Sequence, residues 1–415
     1  MSLRRKRNKI IGMATLAVAI SFSIQAQVPG CMDTLALNFN SLAEINDGSC
    51  QYNPQSVYAI TVADPMSSVV TESSGLLYHD ESLWTINDSG NETELYQLDP
   101  NNGSVLKTVI IDNSTNVDWE ALASDGVHFY IGDFGNNQGS RTDLGVYKVP
   151  WEPVLQSTGD TIVEAEHISY SYPDQVDFTP LFHQTDFDCE AMVFHNDSLH
   201  LFSKNWVDNK TRLYRVPAVS GTYEATLIDS FNVEGLVTDA SIRPTDDVVM
   251  LLGYSEQLQP FMYLLNDFPS GNPLSGNKRR LNLPEHSFQQ TEGVAFDDSL
   301  SVFFTREFSL SGPGLYHTDV TTILHPNGIE SYNEEAIVIR RIDGRINIRW
   351  HAKMKTEGRV GISDLTGKVL ALESVSKGTE HIEIRDPALN QILVIKIEEV
   401  GSWSRGVVAA KAATQ

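Results

Sequence analysis

The sequence predicts an all-β protein whose largest part is a β-propeller, and three observations support this fold class. From residue 56 onward, short runs of β-branched and aromatic residues alternate with Gly, Asn, Asp and Pro turns, without a convincing helical period. A pair of short strands that opens on a carboxylate recurs along the chain. Each copy is followed by a run that carries a tyrosine. Repeated four-stranded units of this kind are typical of propeller blades.

The clearest copy of the repeat starts at Asp118-Trp119-Glu120-Ala121-Leu122-Ala123, with a second strand ending at Asp133. The carboxylates that open the five copies are Glu72, Glu120, Glu190, Asp239 and Glu292, which are 48, 70, 49 and 53 residues apart. Four strands and their turns occupy about 45 residues, so each interval accommodates one blade. The longest interval contains a predicted loop insertion between Pro173 and Asp186.

The repeat also predicts how the ring closes. The tyrosine-bearing runs contain Tyr96, Tyr147, Tyr214, Tyr263 and Tyr316. The last copy lacks a fourth strand, whereas a strand predicted at Val57–Val62 precedes the first copy and has no blade of its own. We therefore expect this N-terminal strand to complete the last blade, which leaves no open sheet edge. The propeller would span residues 56–325 with five blades, or six if one degenerate copy is hidden.

Residues 1–27 have the layout of a secretory signal peptide. Basic residues from Arg4 to Lys9 precede an apolar run from Ile10 to Ile24, and the small residue Ala26 follows. The apolar run is short for a stable membrane span. We expect a protein that is secreted or held at the cell surface, with no membrane span once the signal is removed.

Two of the three cysteines bracket a short N-terminal module, residues 28–55. Because an exported chain enters an oxidising compartment, Cys31 and Cys50 are expected to form a disulfide. The third cysteine, Cys189, begins an apolar strand and is expected to be a buried thiol. The motifs Gly30-Cys31-Met32-Asp33 and Asp47-Gly48-Ser49-Cys50 resemble a small module found near the mature N-terminus of many secreted bacterial proteins.

The C-terminal part is expected to be a separate unit. Residues 326–335 form a polar linker, and residues 336–415 are expected to form a small β-sandwich domain. The motif Asp364-Leu365-Thr366-Gly367-Lys368-Val369 resembles the C-terminal sorting domain of type IX secretion substrates, although Asn390-Gln391-Ile392 stands where that family usually has Gly-x-Tyr. This resemblance implies that the type IX secretion machinery is a partner.

The charge balance restricts the partners. The formal net charge is −24, from 54 acidic and 30 basic residues, so nucleic acid and anionic membranes are disfavoured as partners. An acidic surface favours divalent cations instead.

The first strand of each blade lines the central channel, so the five repeat carboxylates are expected to converge on one axis. Converging carboxylates repel one another unless a divalent cation, a facing base or a raised pKa relieves the repulsion. Calcium suits such a site because it accepts six to eight oxygen ligands. The predicted ligands are Glu72, Glu120, Glu190, Asp239 and Glu292, with Asn87 and Asp133 at nearby strand ends. Other strand-end residues that could add oxygens are Asp88, Asn136 and Asn205. Three alternatives stay open: neutralisation by Lys204 or Arg306, acids that only bind backbone amides, and a catalytic acid/base pair.

Several repeat motifs resemble a known group of propellers. The run from Glu72 to Leu76, the Asp-x-Glu-Ala pairs at Asp118 and Asp188, and the run from Thr291 to Ala295 resemble the SdiA-regulated and phytase-esterase-like families, and distantly the gluconolactonases. The resemblance implies a divalent metal in the channel. Two functions follow as hypotheses: a secreted, calcium-binding propeller that recognises an extracellular ligand such as a glycan or peptide, or a metal-dependent hydrolase of lactones or phosphoesters.

Overall fold

The computed structural model describes residues 27–324 except 244, 246, 269–270, 298–299 and 308–311. It also describes the stretches 337–342, 345–350, 358–363, 369–377, 379, 381–385, 393–399 and 402–409. The predicted signal peptide, apart from residue 27, and the predicted linker at 326–335 lie outside the described residues.

Five sheets form a five-bladed propeller. In blades 1 to 4, four antiparallel strands follow one another in sequence order from the inside of the ring outward. The strands of blade 1 are Ser73–His79, Ser82–Asn87, Glu94–Leu98 and Val105–Ile111. Those of blade 2 are Trp119–Ser124, His128–Asp133, Gly145–Pro150 and Glu166–Ser171. Those of blade 3 are Asp188–His195, Ser198–Lys204, Thr211–Pro217 and Thr226–Phe231. Those of blade 4 are Leu236–Arg243, Val248–Tyr254, Pro260–Asn266 and Asn277–Asn282.

Blade 5 confirms the predicted closure of the ring. Its inner strands are Thr291–Phe296, Ser301–Arg306 and Gly314–Asp319, and the N-terminal strand Ile60–Ala63 supplies the fourth. Tyr316 pairs with Thr61 in an antiparallel register. The predicted strand at Val57–Val62 is therefore shifted: the chain first adds Gln55–Ser56 to the edge of blade 4 and only then crosses to blade 5. The alternative of six blades is excluded.

Two further strands reinforce neighbouring blades. Thr161–Val163 pairs in parallel with the outer strand of blade 1, and Gly221–Glu224 pairs in parallel with the outer strand of blade 2. Buried Ala225 separates Gly221–Glu224 from Thr226–Phe231, and the two pieces join different blades. Blades 1 and 2 are thereby each tied to the chain segment of the next blade.

The described helices are short, which agrees with the missing helical period. They are the α-helices Trp151–Gln156 and Thr321–Leu324 and the 3₁₀ turns Pro273–Ser275 and Pro284–His286. Trp151 is buried, and its ring lies 5.0 Å from that of Trp84 and 4.5 Å from that of Phe129. The core consists of such layers, in which the apolar faces of adjacent blades pack against each other.

The N-terminal module lies against blade 4. Its short strands Pro29–Gly30 and Ile45–Asn46 pair in parallel, and the predicted disulfide between Cys31 and Cys50 is present. The carboxylate of Asp33 accepts a 2.5 Å bond from the guanidinium of Arg279, a residue of the outer strand of blade 4. The module therefore lies beside the segment that closes the ring.

The described strands beyond residue 336 form two antiparallel sheets. One contains Ile337–Ile342, Arg345–Trp350 and His381–Arg385, and the other contains Gly358–Ser363, Val369–Val375, Leu393–Glu399 and Ser402–Ala409. Two small sheets agree with the predicted C-terminal β domain. Among the described residues, no helix is long and apolar enough to cross a membrane.

Candidate functional site

The innermost strand of every blade carries a β-bulge at a corresponding position. The pairing with the second strand skips one residue in each case, and the skipped residues are Gly75, Glu120, Glu190, Thr238 and Glu292. A bulged residue is left out of the ladder, and the bend re-aims its side chain. Three of the five bulges therefore present a glutamate. The sequence alignment of Glu72 and Asp239 with these glutamates was wrong, because Glu72 precedes the bulge at Gly75 and Asp239 follows that at Thr238.

The bulges lie beside a cavity of about 160 Å³ at the end of the propeller where the innermost strands begin. Its carboxylate-bearing lining residues are Glu72, Asp88, Glu120, Glu190, Glu292 and Glu307. Four of the predicted ligands, Glu72 and the three bulge glutamates, thus face one space. Glu72 is exposed at the mouth, where its carboxylate accepts a 2.9 Å bond from Asn91, while the bulge glutamates are buried.

Two lining carboxylates and one that lies behind them form a close group. Asp88, Asp118 and Glu120 each place an oxygen within 4.8 Å of the others. Burial, together with the charges of Asp88 and Asp188, raises the pKa of Asp118 to about 7. Burial and the neighbouring carboxylates raise the pKa of Glu120 well above its usual range. Gathering these acids is costly, and a cation would relieve the cost.

Gly135 makes this close grouping possible. A Cβ atom at residue 135 would lie 2.3 Å from Oε1 of Glu120 and 2.5 Å from Cγ of Asp118. The loop after the second strand of blade 2 can therefore pass directly behind the two acids only because it has a glycine there. Ser74 holds Glu120 from the other side, donating its hydroxyl to the backbone oxygen at 2.8 Å and to Oε2 at 3.2 Å.

Another part of the cavity lining is organised by Lys204. Its ammonium lies 2.5 Å from the carboxylate of Glu190. It also lies 5.0 Å from the ring centre of Trp206 and 5.4 Å from that of Tyr254. Burial would lower the pKa of Lys204, but the surrounding carboxylates, Glu190 first, raise it well above its usual range. Lys204 is thus positively charged and neutralises Glu190, which agrees with the alternative that a lysine relieves the repulsion among the acids.

Glu292 occupies the same bulge position but has no cation of its own. It is 7% exposed, and no hydrogen bond or ion pair within the described part of the chain reaches its carboxylate. Burial, followed by the charges of Glu307 and Asp88, raises the pKa of Glu292 to about 8, and Lys204 offsets this only in part. Because the carboxylate faces the cavity, a donor or cation that enters there can reach it.

The remaining predicted ligands serve the backbone. Asn87 accepts amide bonds from Thr71 at 3.0 Å and Glu72 at 3.3 Å. Asp133 accepts from the amide of Asp118 at 3.1 Å and from Arg141 at 2.9 Å.

Asp239, the last predicted ligand, accepts the amides of Leu76 at 3.1 Å, Val294 at 2.7 Å and Ala240 at 2.8 Å, which joins the inner strands of blades 4, 1 and 5. For these residues the structure agrees with the alternative that the acids only bind backbone amides. The other predicted neutraliser, Arg306, pairs with Asp64 at 2.7 Å near the closing strand.

Sequence reasoning left out of the predicted ligand set several residues that line or flank the cavity. Glu307 was not named as a ligand, and Asp88 was named only as a possible additional oxygen ligand. Each directly follows a second strand, which places them at the cavity end of blades 5 and 1. Asp118 precedes the inner strand of blade 2 and belongs to the Asp-x-Glu-Ala motif, which was the available signal. His183, in the predicted insertion, and the aromatic pair Trp206 and Tyr254 also line the cavity.

Comparisons with known proteins find only distant structural likeness. A scan against protein-family models finds no match, and a search of curated proteins finds no relative. Solved structures with a similar fold include an exo-β-1,3-galactanase from Phanerochaete chrysosporium, at 10% identity and a TM-score of 0.39 over 86% of this chain and 97% of that one. A putative 6-phosphogluconolactonase from Bacteroides uniformis matches at 12% identity and a TM-score of 0.29, over 74% of this chain and 87% of that one. Likeness at this level carries no argument about activity.

Proposed function

We propose that this protein is a secreted, calcium-binding β-propeller that recognises an extracellular ligand at its acidic cavity. The observation that carries the proposal is the group formed by Asp88, Asp118 and Glu120, whose ligand oxygens lie within 4.8 Å of one another. Export by a type IX route, attachment through the C-terminal domain and kinship with the SdiA-regulated propellers belong to the same proposal and rest on the sequence motifs.

The donor set fits calcium. All three side chains offer carboxylate oxygens, which hard cations prefer, and there is no thiol or imidazole in the group. The close approach of Gly135 leaves these oxygens grouped instead of spread by an intervening side chain. Asp88, Asp118 and Glu120 would hold the ion, which would supply positive charge and open coordination positions for oxygen atoms of a ligand.

Calcium titration tests this proposal. We expect calcium to bind the wild-type chain and to stabilise it, by about 2.7 kcal/mol when free calcium is 100 times Kd. Because affinity depends on the number of charged ligands, Asp88→Asn and Asp118→Asn should each weaken calcium binding about tenfold or more. Isothermal titration calorimetry and thermal unfolding with calcium or a chelator would measure both effects.

The matched control is Asp112→Asn, the same change at an exposed carboxylate beside the outer strand of blade 1. It should bind calcium like the wild type. Equal thermal stability of wild-type protein with calcium and with chelator would contradict the proposal, as would an Asp118→Asn variant that keeps its calcium affinity.

A second candidate, a metal-dependent hydrolase, is favoured by the pKa values of about 7 for Asp118 and about 8 for Glu292, which suit proton transfer near neutral pH. The excess of carboxylates disfavours phosphoesters, which are anionic, relative to lactones. The test is a screen of both substrate classes with calcium present. Turnover that survives the combined Glu120→Gln, Glu190→Gln and Glu292→Gln changes would remove the cavity as the site of catalysis.

A further inference from the structure

The charge balance of the cavity limits what can bind there. Six carboxylate side chains line it, and Lys204 carries the one ammonium among the described lining residues. Burial lowers the pKa of His183, so this lining histidine adds no positive charge at neutral pH. Even with one divalent cation bound, carboxylate oxygens outnumber the donors that the lining residues supply. A phosphate, sulfate or carboxylate group on the ligand would add another acidic group to this set, so the cavity favours an uncharged ligand that is rich in hydroxyl groups.

Glu292 identifies a point where such a donor is needed. Its carboxylate faces the cavity, is more than nine-tenths buried and has no bonding partner in the described chain. Glu190, at the corresponding bulge of blade 3, has Lys204 as its partner. The two positions therefore differ in whether the protein itself supplies the donor. A ligand hydroxyl that donates to Glu292 would satisfy the unpaired group.

An aromatic column forms one side of the cavity mouth. The ring of His183 lies 3.7 Å from that of Phe182 and 3.5 Å from that of Trp206, and Trp206 in turn covers Lys204. The outer end of the column is open, since Phe182 is 64% exposed and its neighbour Leu181 is 56% exposed.

This apolar lip is held in place by backbone bonds to blade 2. The amide of Leu181 donates to the oxygen of Gln138 at 3.0 Å, and that of His183 donates to Asn137 at 2.9 Å. An exposed aromatic ring that is fixed beside a polar cavity suits a ligand with one apolar face and a hydroxyl-bearing edge.

The size of the cavity indicates how much of the ligand enters. About 160 Å³ is well below the roughly 300–1,000 Å³ of pockets that enclose a drug-sized molecule. One ring can enter, and the rest of a longer ligand lies outside the cavity, where the exposed ring of Phe182 is available for packing. The cavity is therefore suited to the end of a chain and not to its middle.

We infer that the cavity binds the terminal residue of a neutral saccharide. Its hydroxyl oxygens would complete the coordination of the cation, another hydroxyl would donate to Glu292, and the apolar face of the sugar chain would pack on Phe182. This inference rests on the proposed calcium site. An organic ammonium would satisfy the charge balance equally but would compete with the cation, whereas a saccharide requires it.

The experiment uses the mature full-length chain and an array of immobilised neutral, aminated and acidic oligosaccharides, with saturating calcium or with chelator. We expect binding to neutral glycans with calcium and none with chelator. The strongest neutral glycan is then titrated in solution against variants. Phe182→Ala and Glu292→Leu should each weaken saccharide binding about tenfold or more. Leu106→Ala, at an exposed position on the outer strand of blade 1, should leave it unchanged.

Calcium binding measured on the same samples separates the two levels of failure. A wild-type chain that binds no calcium would overturn the proposed function. Intact calcium binding with no neutral glycan bound would overturn this inference alone. Binding restricted to acidic glycans, binding of spermidine that excludes calcium, or an unchanged affinity in Phe182→Ala would each overturn it as well.

Discussion

At the scale of single residues, the cavity is defined by carboxylates that stay protonated to higher pH than usual. Asp118 and Glu292 have pKa values of about 7 and about 8, against 3.8 and 4.5 for unperturbed groups, because burial and mutual repulsion disfavour their charged forms. At a pH between the unperturbed and the raised pKa of each group, the native state binds more protons than the unfolded state. Stability must then fall as pH rises.

One prediction concerns how the stability of calcium-free protein depends on pH. Its urea midpoint should decrease from pH 7.5 to pH 8.5, where the histidines with lowered pKa values are already deprotonated in both the folded and the unfolded state. Calcium should flatten the dependence, because it binds the deprotonated carboxylates. The double change Asp118→Asn with Glu292→Gln should flatten it without calcium. A wild-type midpoint that rises over this range in chelator would contradict the pKa shifts.

At the scale of the strand, the innermost strand of a blade can carry an acid that faces the cavity or an acid that binds backbone amides. Glu120 is the bulged residue of its strand and faces the cavity, whereas Asp239 follows a bulge and binds three backbone amides from three blades. A shift of one residue along the strand turns a side chain to the other face. Acidic residues at nearly the same position of the repeat thus have opposite effects on stability.

This contrast gives a prediction for a matched pair of variants. Asp239→Ala leaves three buried amides without an acceptor and should cost about 3 kcal/mol or more of unfolding free energy, with or without calcium. Glu120→Gln removes a repelled charge, so it should stabilise calcium-free protein while weakening calcium binding. Urea denaturation with calcium and with chelator measures both. Equal destabilisation of calcium-free protein by the two changes would refute the assignment.

At the scale of the whole molecule, the N-terminal segment holds the ring closed. Gln55–Ser56 lies on blade 4 and Ile60–Ala63 completes blade 5, so these two short strands bridge the last two blades. The disulfide module precedes this bridge, and Arg279 of blade 4 both pairs with Asp33 and lies 4.4 Å from the ring of Tyr52. Ordering of the module and closure of the propeller are therefore coupled.

Removal of the disulfide should weaken this closure. We expect the double change Cys31→Ser and Cys50→Ser to lower the unfolding free energy by about 2–4 kcal/mol, since the crosslink restricts the unfolded chain. Reductant should cause the same loss in the wild type and none in the double variant, because the remaining described thiol, Cys189, is buried. Thermal unfolding that does not respond to reductant in the wild type would show that the module is not coupled to the ring.

Local pattern in the sequence was enough to predict the strands, the five copies, the disulfide and the origin of the closing strand. These features depend on strand periodicity, turn residues and spacing, which are properties of neighbouring residues. The same pattern also gave the three bulge glutamates and Lys204, because each lies at a repeated place in a strand pair.

Only the tertiary structure decided which acids share the cavity. Bulges shift the facing of a side chain by one residue, so Asp239 was assigned to the cavity although it binds backbone amides. Asp118 and Glu307 were left out of the ligand set although they lie in or beside the cavity, and Asp88 was named only as a possible additional ligand. The pairing of Lys204 with Glu190, the space behind Gly135 and the aromatic column at Phe182 depend on contacts between different blades. Such contacts are fixed by packing over long sequence distances, and no local sequence pattern specifies them.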